Sequence, residues 1–177
     1  MSRRTLVVSS AALAVVSCGG LLAGLSLLSL RPSHDKGPSH YQIQLERIAP
    51  GTYIEVEWLG RPVVIVRPDH QMVEDLKSID PFVLGGVALP NGDIPGAFVY
   101  ERVSTHKGCG LEHVPAESPL APTSFRWRGG WRDACHIGYW DYAGRAVRTD
   151  GRAVQLANLV SPEYTLIGNR IDLKRKN

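Results

Sequence analysis

Short runs of alternating apolar and polar residues, separated by turn residues, characterise the chain from Tyr41 onward. Residues 41–45 and 54–58 alternate in this way, and Pro50-Gly51 between them marks a turn. Residues 63–66 form a fully apolar run of the same short length. Alternation with a period of two places successive side chains on opposite faces of a strand. The pattern therefore predicts an antiparallel all-β domain, either a sandwich or a barrel.

Further elements follow the same logic along the rest of the chain. The best short helix candidate covers residues 72–79. Additional strand candidates are residues 97–103, 123–127, 153–156 and 164–173.

The N-terminus carries a long uncharged segment, residues 5–30, which is 26 residues in length. A helix of roughly 20 apolar residues spans a bilayer, whereas a cleavable signal peptide has an apolar stretch of only about 7–15 residues. The preceding Arg3-Arg4 pair fits a twin-arginine export signal. The segment predicts a retained anchor over residues 1–30, a tether over residues 31–40 and a domain over residues 41–177. Cleavage of the N-terminal segment is the alternative.

Charge and cysteine content exclude several protein classes. The chain has 20 Lys+Arg and 17 Asp+Glu, and Arg3 and Arg4 provide two of its three net positive charges. A body with a net charge of only +1 argues against nucleic-acid binding, which depends on neutralising phosphates. Positive residues stay on the cytoplasmic side of a membrane, so the body is expected in the periplasm. Three cysteines are too few for a disulfide-rich scaffold or a four-thiolate zinc site.

Reactive side chains concentrate in two loops, residues 103–109 and 129–141. The first loop contains His106 and Cys109, and the second contains Cys135 and His136. A Cys2His2 zinc site is one interpretation, but adjacent residues in an extended loop point in opposite directions and seldom bind one ion. A disulfide between the loops is the other interpretation, and an exported domain would favour it.

Several segments carry a combined resemblance in their order and spacing. They are Trp-Leu-Gly-Arg-Pro-Val-Val-Ile at residues 58–65, Thr-His-Lys-Gly-Cys at 105–109, Gly-Gly-Trp at 129–131, Cys-His at 135–136, Asp-Tyr-Ala-Gly-Arg at 141–145, and Asn158-Leu159 with Pro162 and Tyr164. Together they resemble the Rieske iron–sulfur protein of the quinol–cytochrome c oxidoreductase (cytochrome bc) complex. The resemblance extends over nearly the whole chain.

The resemblance implies a Rieske-type antiparallel β-sandwich, with a cluster-binding-type subdomain at about residues 98–145 and one N-terminal transmembrane helix. The family loops follow the patterns C-T-H-x-G-C and C-x-C-H-G-S. Two histidines bind one iron of a [2Fe–2S] cluster and two cysteines bind the other. By this resemblance His106 and His136 are retained cluster ligands, and a disulfide joins Cys109 to Cys135.

The same resemblance places the two cluster thiolates at Ser104 and Asp133, and neither residue is cysteine. Thiolate is the soft ligand that iron–sulfur chemistry selects, whereas hydroxyl and carboxylate are hard oxygen donors. Gly138 and Trp140 also replace a serine and a tyrosine that hydrogen-bond the cluster in the family, and Lys107 replaces an apolar residue. We therefore expect no cofactor and no catalytic residue in this chain.

Two alternatives keep a metal at these loops. The first is a [2Fe–2S] cluster held unusually, by the histidines with Asp133 and Ser104 or by reduced Cys109 and Cys135. The second is a two-His-one-carboxylate set of His106, His136 and Asp133, which are the ligand types of a non-haem iron(II) site.

The resemblance predicts a membrane-anchored subunit of a ubiquinol–cytochrome c reductase-type respiratory complex, located on the periplasmic side of a bacterial inner membrane. Its partners would be the membrane and subunits of the cytochrome b and cytochrome c1 type. With its cluster ligands replaced, the subunit is expected to have a structural or assembly role. The alternative is a functional subunit that carries electrons from quinol to cytochrome c.

Overall fold

Antiparallel strand pairing organises the chain in its computed structural model, which describes residues 40–84, 89, 95–136, 138–149 and 156–175. The predicted anchor and most of the predicted tether lie outside these residues. Within the described ranges, no helix is both long enough and apolar enough to cross a membrane. The described elements are β1 (His40–Gln44), β2 (Thr52–Trp58), β3 (Arg61–Arg67), α1 (His70–Ser78), β4 (Phe98–Glu101), β5 (Glu112–Val114), β6 (Gly130–Asp133), β7 (Gly138–Asp141), β8 (Ala146–Val147), β9 (Tyr164–Ile167) and β10 (Arg170–Lys174), with 3₁₀ turns at Leu45–Arg47 and Asp80–Phe82.

Three antiparallel sheets contain these strands, in the orders β1-β10-β9, β2-β3-β4 and β5-β6-β7-β8. The expectation of an all-β antiparallel fold is confirmed. The candidate strand at residues 164–173 is a hairpin, β9 and β10, because Gly168 adopts a positive φ of 56° at the turn between them.

The central strand β3 explains the fully apolar run at residues 63–66. Val63 and Ile65 pack into one core cluster together with Ile171 and Leu173 of β10. Val64 and Val66 point to the opposite face and enter a second cluster. Because β3 has a core on both faces, its sequence is continuously apolar instead of alternating.

Helix α1 begins two residues before the predicted helix at residues 72–79. Asp69 is its N-cap and accepts a hydrogen bond of 2.8 Å from the backbone N–H of Met72. The helix buries Val73 and Leu76.

Two parts of the chain differ from the sequence-based expectation. No strand forms at residues 123–127: residues 123–126 form turns, and Trp127 is buried in a third core cluster through its side chain. Its indole N–H donates to the carbonyl of Val114 at 2.9 Å, so the apolar side chain is used for packing without strand pairing. The candidate strand at residues 153–156 lies almost entirely outside the described residues.

Candidate functional site

The first site loop follows β4 and is closed by its own backbone. Ser104 N–H donates to the carbonyl of Cys109 at 2.8 Å, and Gly108 N–H donates to the carbonyl of Ser104 at 3.1 Å. Lys107 and Gly108 adopt φ values of 63° and 73°, which make the reversal of direction possible. A bridge between Val103 and Gly110 completes the loop.

The second site loop is a tight turn between β6 and β7, so the predicted loop at residues 129–141 is largely a hairpin. Asp133, the last residue of β6, is fully buried. Its Oδ1 accepts hydrogen bonds from the backbone N–H groups of Cys135 at 2.8 Å and His136 at 3.2 Å. This carboxylate therefore fixes the turn that carries Cys135 and His136.

A disulfide between Cys109 and Cys135 joins the two loops, and their Cα atoms are 6.6 Å apart. The predicted pairing is confirmed. Beside the disulfide, the Ser104 hydroxyl donates to Asp133 Oδ2 at 2.6 Å. The structure thus brings together Ser104 and Asp133, the two positions at which the family resemblance places thiolates. Their side chains are hydrogen-bonded to each other.

The two histidines lie next to this contact and are partly buried. The ring centroids of His106 and His136 are 4.9 Å apart, and the rings are nearly perpendicular. His136 Nδ1 lies 3.7 Å from Cys109 Sγ and 3.4 Å from Asp133 Oδ2.

Asp133 remains a carboxylate in this environment. Burial raises its pKa, but the hydrogen bonds from Ser104 and from the turn backbone oppose that effect. Their sum holds the pKa of Asp133 below its ordinary value. A buried negative charge therefore stands directly between the two loops.

Four ligand-type atoms converge here, from Cys109, Asp133, Cys135 and His136, all within 4.8 Å of one another. The expectation that adjacent Cys135 and His136 would point apart assumed an extended loop, whereas residues 134–136 form a turn. The close set contains Cys109 together with His136 and Asp133. Among the described residues, this close set does not include His106, which is the second histidine of the predicted iron(II) combination.

The Trp140 ring occupies the space next to the Gly138 Cα atom. A β-carbon added at Gly138 would lie 2.8 Å from the Trp140 ring and 3.0 Å from Leu156 Cδ1. The indole therefore fills the volume that a serine side chain at position 138 would need. Lys107, the other departure from the family pattern, is exposed.

Sequence reasoning missed the contribution of Ala157. Its carbonyl accepts hydrogen bonds from Trp140 Nε1 at 2.9 Å and from Thr105 Oγ1 at 2.7 Å, which connects the first site loop to β7. Because the acceptor is a backbone carbonyl, the identity of the residue carries no signal for this role.

Comparisons with known proteins agree with the motif resemblance. No family model matches the chain. The ubiquinol-cytochrome c reductase iron-sulfur subunit of Allochromatium vinosum is 25% identical over 186 residues, which is 96% of this chain and 86% of that protein. The mitochondrial cytochrome b-c1 complex subunit Rieske-3 of Nicotiana tabacum is 33% identical over 109 residues, which is 59% of this chain but only 36% of that protein. The Rieske subunit of Schizosaccharomyces pombe is 27% identical over 135 residues, which is 75% of this chain and 53% of that protein.

Solved structures are similar at a lower level. A hyperthermophilic respiratory Complex III chain has a TM-score of 0.44 and 18% identity, covering 81% of this chain and 82% of its own. The ferredoxin of carbazole 1,9a-dioxygenase from Nocardioides aromaticivorans has a TM-score of 0.40 and 13% identity, covering 78% of this chain and all of its own. In sequence, the chain is similar to Rieske iron–sulfur subunits of ubiquinol–cytochrome c reductase and of the cytochrome b-c1 complex.

Proposed function

We propose that this chain is a membrane-anchored, Rieske-like subunit of a ubiquinol–cytochrome c reductase-type complex in which the [2Fe–2S] site has been lost. Its role is structural or assembly-related, beside subunits of the cytochrome b and cytochrome c1 type. It is anchored in a bacterial inner membrane with its domain in the periplasm. Residues 98–145 form the part that carries the cluster in the family.

The observation that supports this proposal is the direct hydrogen bond between the side chains of Ser104 and Asp133. A Rieske cluster requires two thiolates on one iron, and both positions here carry hard oxygen donors. Their side-chain atoms already satisfy each other at 2.6 Å, within loops that a disulfide holds together. The residues present therefore do not fit a [2Fe–2S] cluster of the family type.

The space around β7 supports the same conclusion. A serine cannot be restored at Gly138 without moving the Trp140 ring, which lies 2.8 Å from the position of the missing β-carbon. Side chains that hydrogen-bond a cluster tune it and orient its ligands. In this chain the hydroxyl groups at positions 138 and 140 are missing together with the two thiolate ligands.

The second candidate is an electron-transferring subunit with an unusually held cluster. It is favoured by the proximity of His106 and His136, whose ring centroids lie 4.9 Å apart.

Iron and acid-labile sulfide analysis of the full chain, purified anaerobically from membranes, distinguishes the candidates. We expect neither element at stoichiometric levels and no Rieske-type EPR signal. Near-stoichiometric iron and sulfide with such a signal would contradict the proposal and support electron transfer.

The matched variant is the double change Ser104→Cys with Asp133→Cys, which restores both thiolates. Partial recovery of iron and sulfide in this variant would attribute the loss to those two residues. We expect at least such partial recovery. A variant that stays empty would mean that the loops have also diverged from the geometry that the ligands need, for example around the Gly138–Trp140 contact.

A further inference from the structure

We propose that reduction of the Cys109–Cys135 disulfide creates a zinc site from Cys109 Sγ, Cys135 Sγ, His136 Nδ1 and Asp133 Oδ2. This inference goes beyond the proposed function and does not depend on it. Zinc accepts sulfur, nitrogen and oxygen ligands in tetrahedral sites, and all three donor types meet here.

Two of the distances between donor atoms are close to the edges of a zinc tetrahedron. Usual zinc–ligand bond lengths give a sulfur–nitrogen edge of about 3.5 Å and a nitrogen–oxygen edge of about 3.4 Å. His136 Nδ1 lies 3.7 Å from Cys109 Sγ and 3.4 Å from Asp133 Oδ2. The sulfur–sulfur edge has to change from a covalent bond to a separation of about 3.8 Å. All four donor atoms already lie within 4.8 Å of one another.

Two of the ligands are already held in place. Asp133 Oδ1 accepts hydrogen bonds from the turn backbone, which leaves Oδ2 directed at His136. Ser104 donates to the same Oδ2 and would act as an outer group that orients the carboxylate. The turn that Asp133 fixes also carries His136, so both ligands belong to one rigid unit.

The chemistry consists of a reduction followed by metal binding. A thiol reductant attacks the disulfide, and two electrons convert the sulfur–sulfur bond into two protein thiols while two reductant thiols become a disulfide. Zinc(II) then replaces the two thiol protons, which are released to solvent. Cys135 is exposed and Cys109 is partly buried, so the disulfide can be reached from the Cys135 side.

The test uses the full chain, reduced anaerobically with a phosphine and titrated with zinc(II) alone, with cobalt(II) as a spectroscopic substitute. We expect one metal ion for each reduced chain, thiolate-to-cobalt charge-transfer absorption, and protection of Cys109 and Cys135 from alkylation. The oxidised chain should bind the metal at least about tenfold more weakly. Equal binding by both forms, or binding without the thiolate signal, would overturn the proposal.

Variants then identify the ligands. His136→Ala and Asp133→Asn should each weaken zinc binding by about tenfold or more. His70→Ala, an exposed histidine at the start of α1, is the matched control and should bind as the unmodified chain does. A loss with His106→Ala as large as with His136→Ala would refute the ligand set. Alkylation protection in the unmodified chain keeps the test decisive even if a variant fails to fold.

Discussion

At the scale of single residues, the site is a small network of charge and hydrogen bonding. Asp133 is a buried carboxylate that accepts from a hydroxyl and from two backbone N–H groups. Buried charges persist only when such partners satisfy them. The hydroxyl of Ser104 is therefore expected to stabilise the fold, independently of any cofactor.

Replacing Ser104 by alanine tests that role. The carboxylate of Asp133 would lose a charge-assisted hydrogen bond, so the free energy of unfolding should fall by about 2 kcal/mol. Urea unfolding under oxidising conditions measures the change. Ser124→Ala is the control: Ser124 Oγ is buried without a hydrogen-bond partner among the described residues, so its removal should not lower the free energy of unfolding. Equal losses in both variants would contradict a specific role for Ser104.

A second residue-scale feature is the contact of 2.6 Å between His113 Nε2 and the Tyr142 hydroxyl. Burial lowers the pKa of His113, while burial and, to a smaller extent, the charge of Tyr53 raise the pKa of Tyr142 to about 12. At neutral pH the tyrosine therefore donates to a neutral imidazole.

The lowered pKa of His113 predicts a pH dependence of stability. Folding lowers the pKa of His113. As the pH falls, this histidine is therefore protonated in the unfolded chain first, at about pH 6.5, and in the folded chain only at a lower pH. The contribution of neutral His113 to the free energy of unfolding is fully present above about pH 6.5. It is lost as the pH falls through the folded-state pKa of His113. The stability difference between the unmodified chain and His113→Phe should therefore narrow from about pH 7 to about pH 5. A difference that does not vary with pH, measured by urea unfolding, would refute this assignment. Tyr142→Phe should retain the pH dependence, since burial causes it.

At the scale of elements, the sequence predicts strands best where burial and alternation coincide. The apolar run of β3 is visible in the sequence, and the core on both faces of that strand explains it. The hairpin of β6 and β7 is predicted as a loop from the sequence, because both faces of these strands are buried and no alternation marks them. The Cys109–Cys135 pairing followed from the motif resemblance. The Ser104–Asp133 contact depends on loop geometry that no local pattern records.

Gly130 at the start of β6 gives the element-scale prediction. Its φ is 151°, and an added β-carbon would collide with the carbonyl oxygen of Trp140 and lie 2.8 Å from Asp141 Cα. Gly130→Ala should therefore cost at least about 3 kcal/mol of unfolding free energy. Gly110→Ala is the matched control, because nothing lies within 4 Å of its added β-carbon. Thermal or urea unfolding that gives equal midpoints for the two variants would contradict the steric argument.

At the scale of the whole domain, Arg145 connects parts of the chain that are distant in sequence. Its guanidinium donates to Asp141 Oδ2 at 2.7 Å, to Asp80 Oδ1 at 2.5 Å and to the carbonyl of Leu76 at 2.9 Å. The end of helix α1, the following 3₁₀ turn and β7 therefore share one buried cation. The Arg145 guanidinium has these three acceptors only when the helix end, the 3₁₀ turn and β7 are all in place.

The sequence outside the described domain carries the whole-chain prediction. Because residues 5–30 lack charge over 26 positions, the full chain should stay with membranes after a high-salt wash and dissolve only in detergent. Its intact mass should include residues 1–30. A mature chain that starts beyond Leu30 would show cleavage instead, and a chain expressed from residue 31 is the control for aqueous solubility.

The pairing of β1 with β10 determines how the domain would respond to a mechanical load. His40 faces Lys174 and Gln44 faces Arg170, so the first and last described strands are antiparallel neighbours. Tension that pulls residues 40 and 174 apart acts first on the hydrogen bonds nearest to these residues, because antiparallel ladder bonds lie perpendicular to the strands. The bonds would then break one after another from His40 towards Gln44. We expect this sheet to unzip under low force, before the disulfide-linked loops carry any of the load.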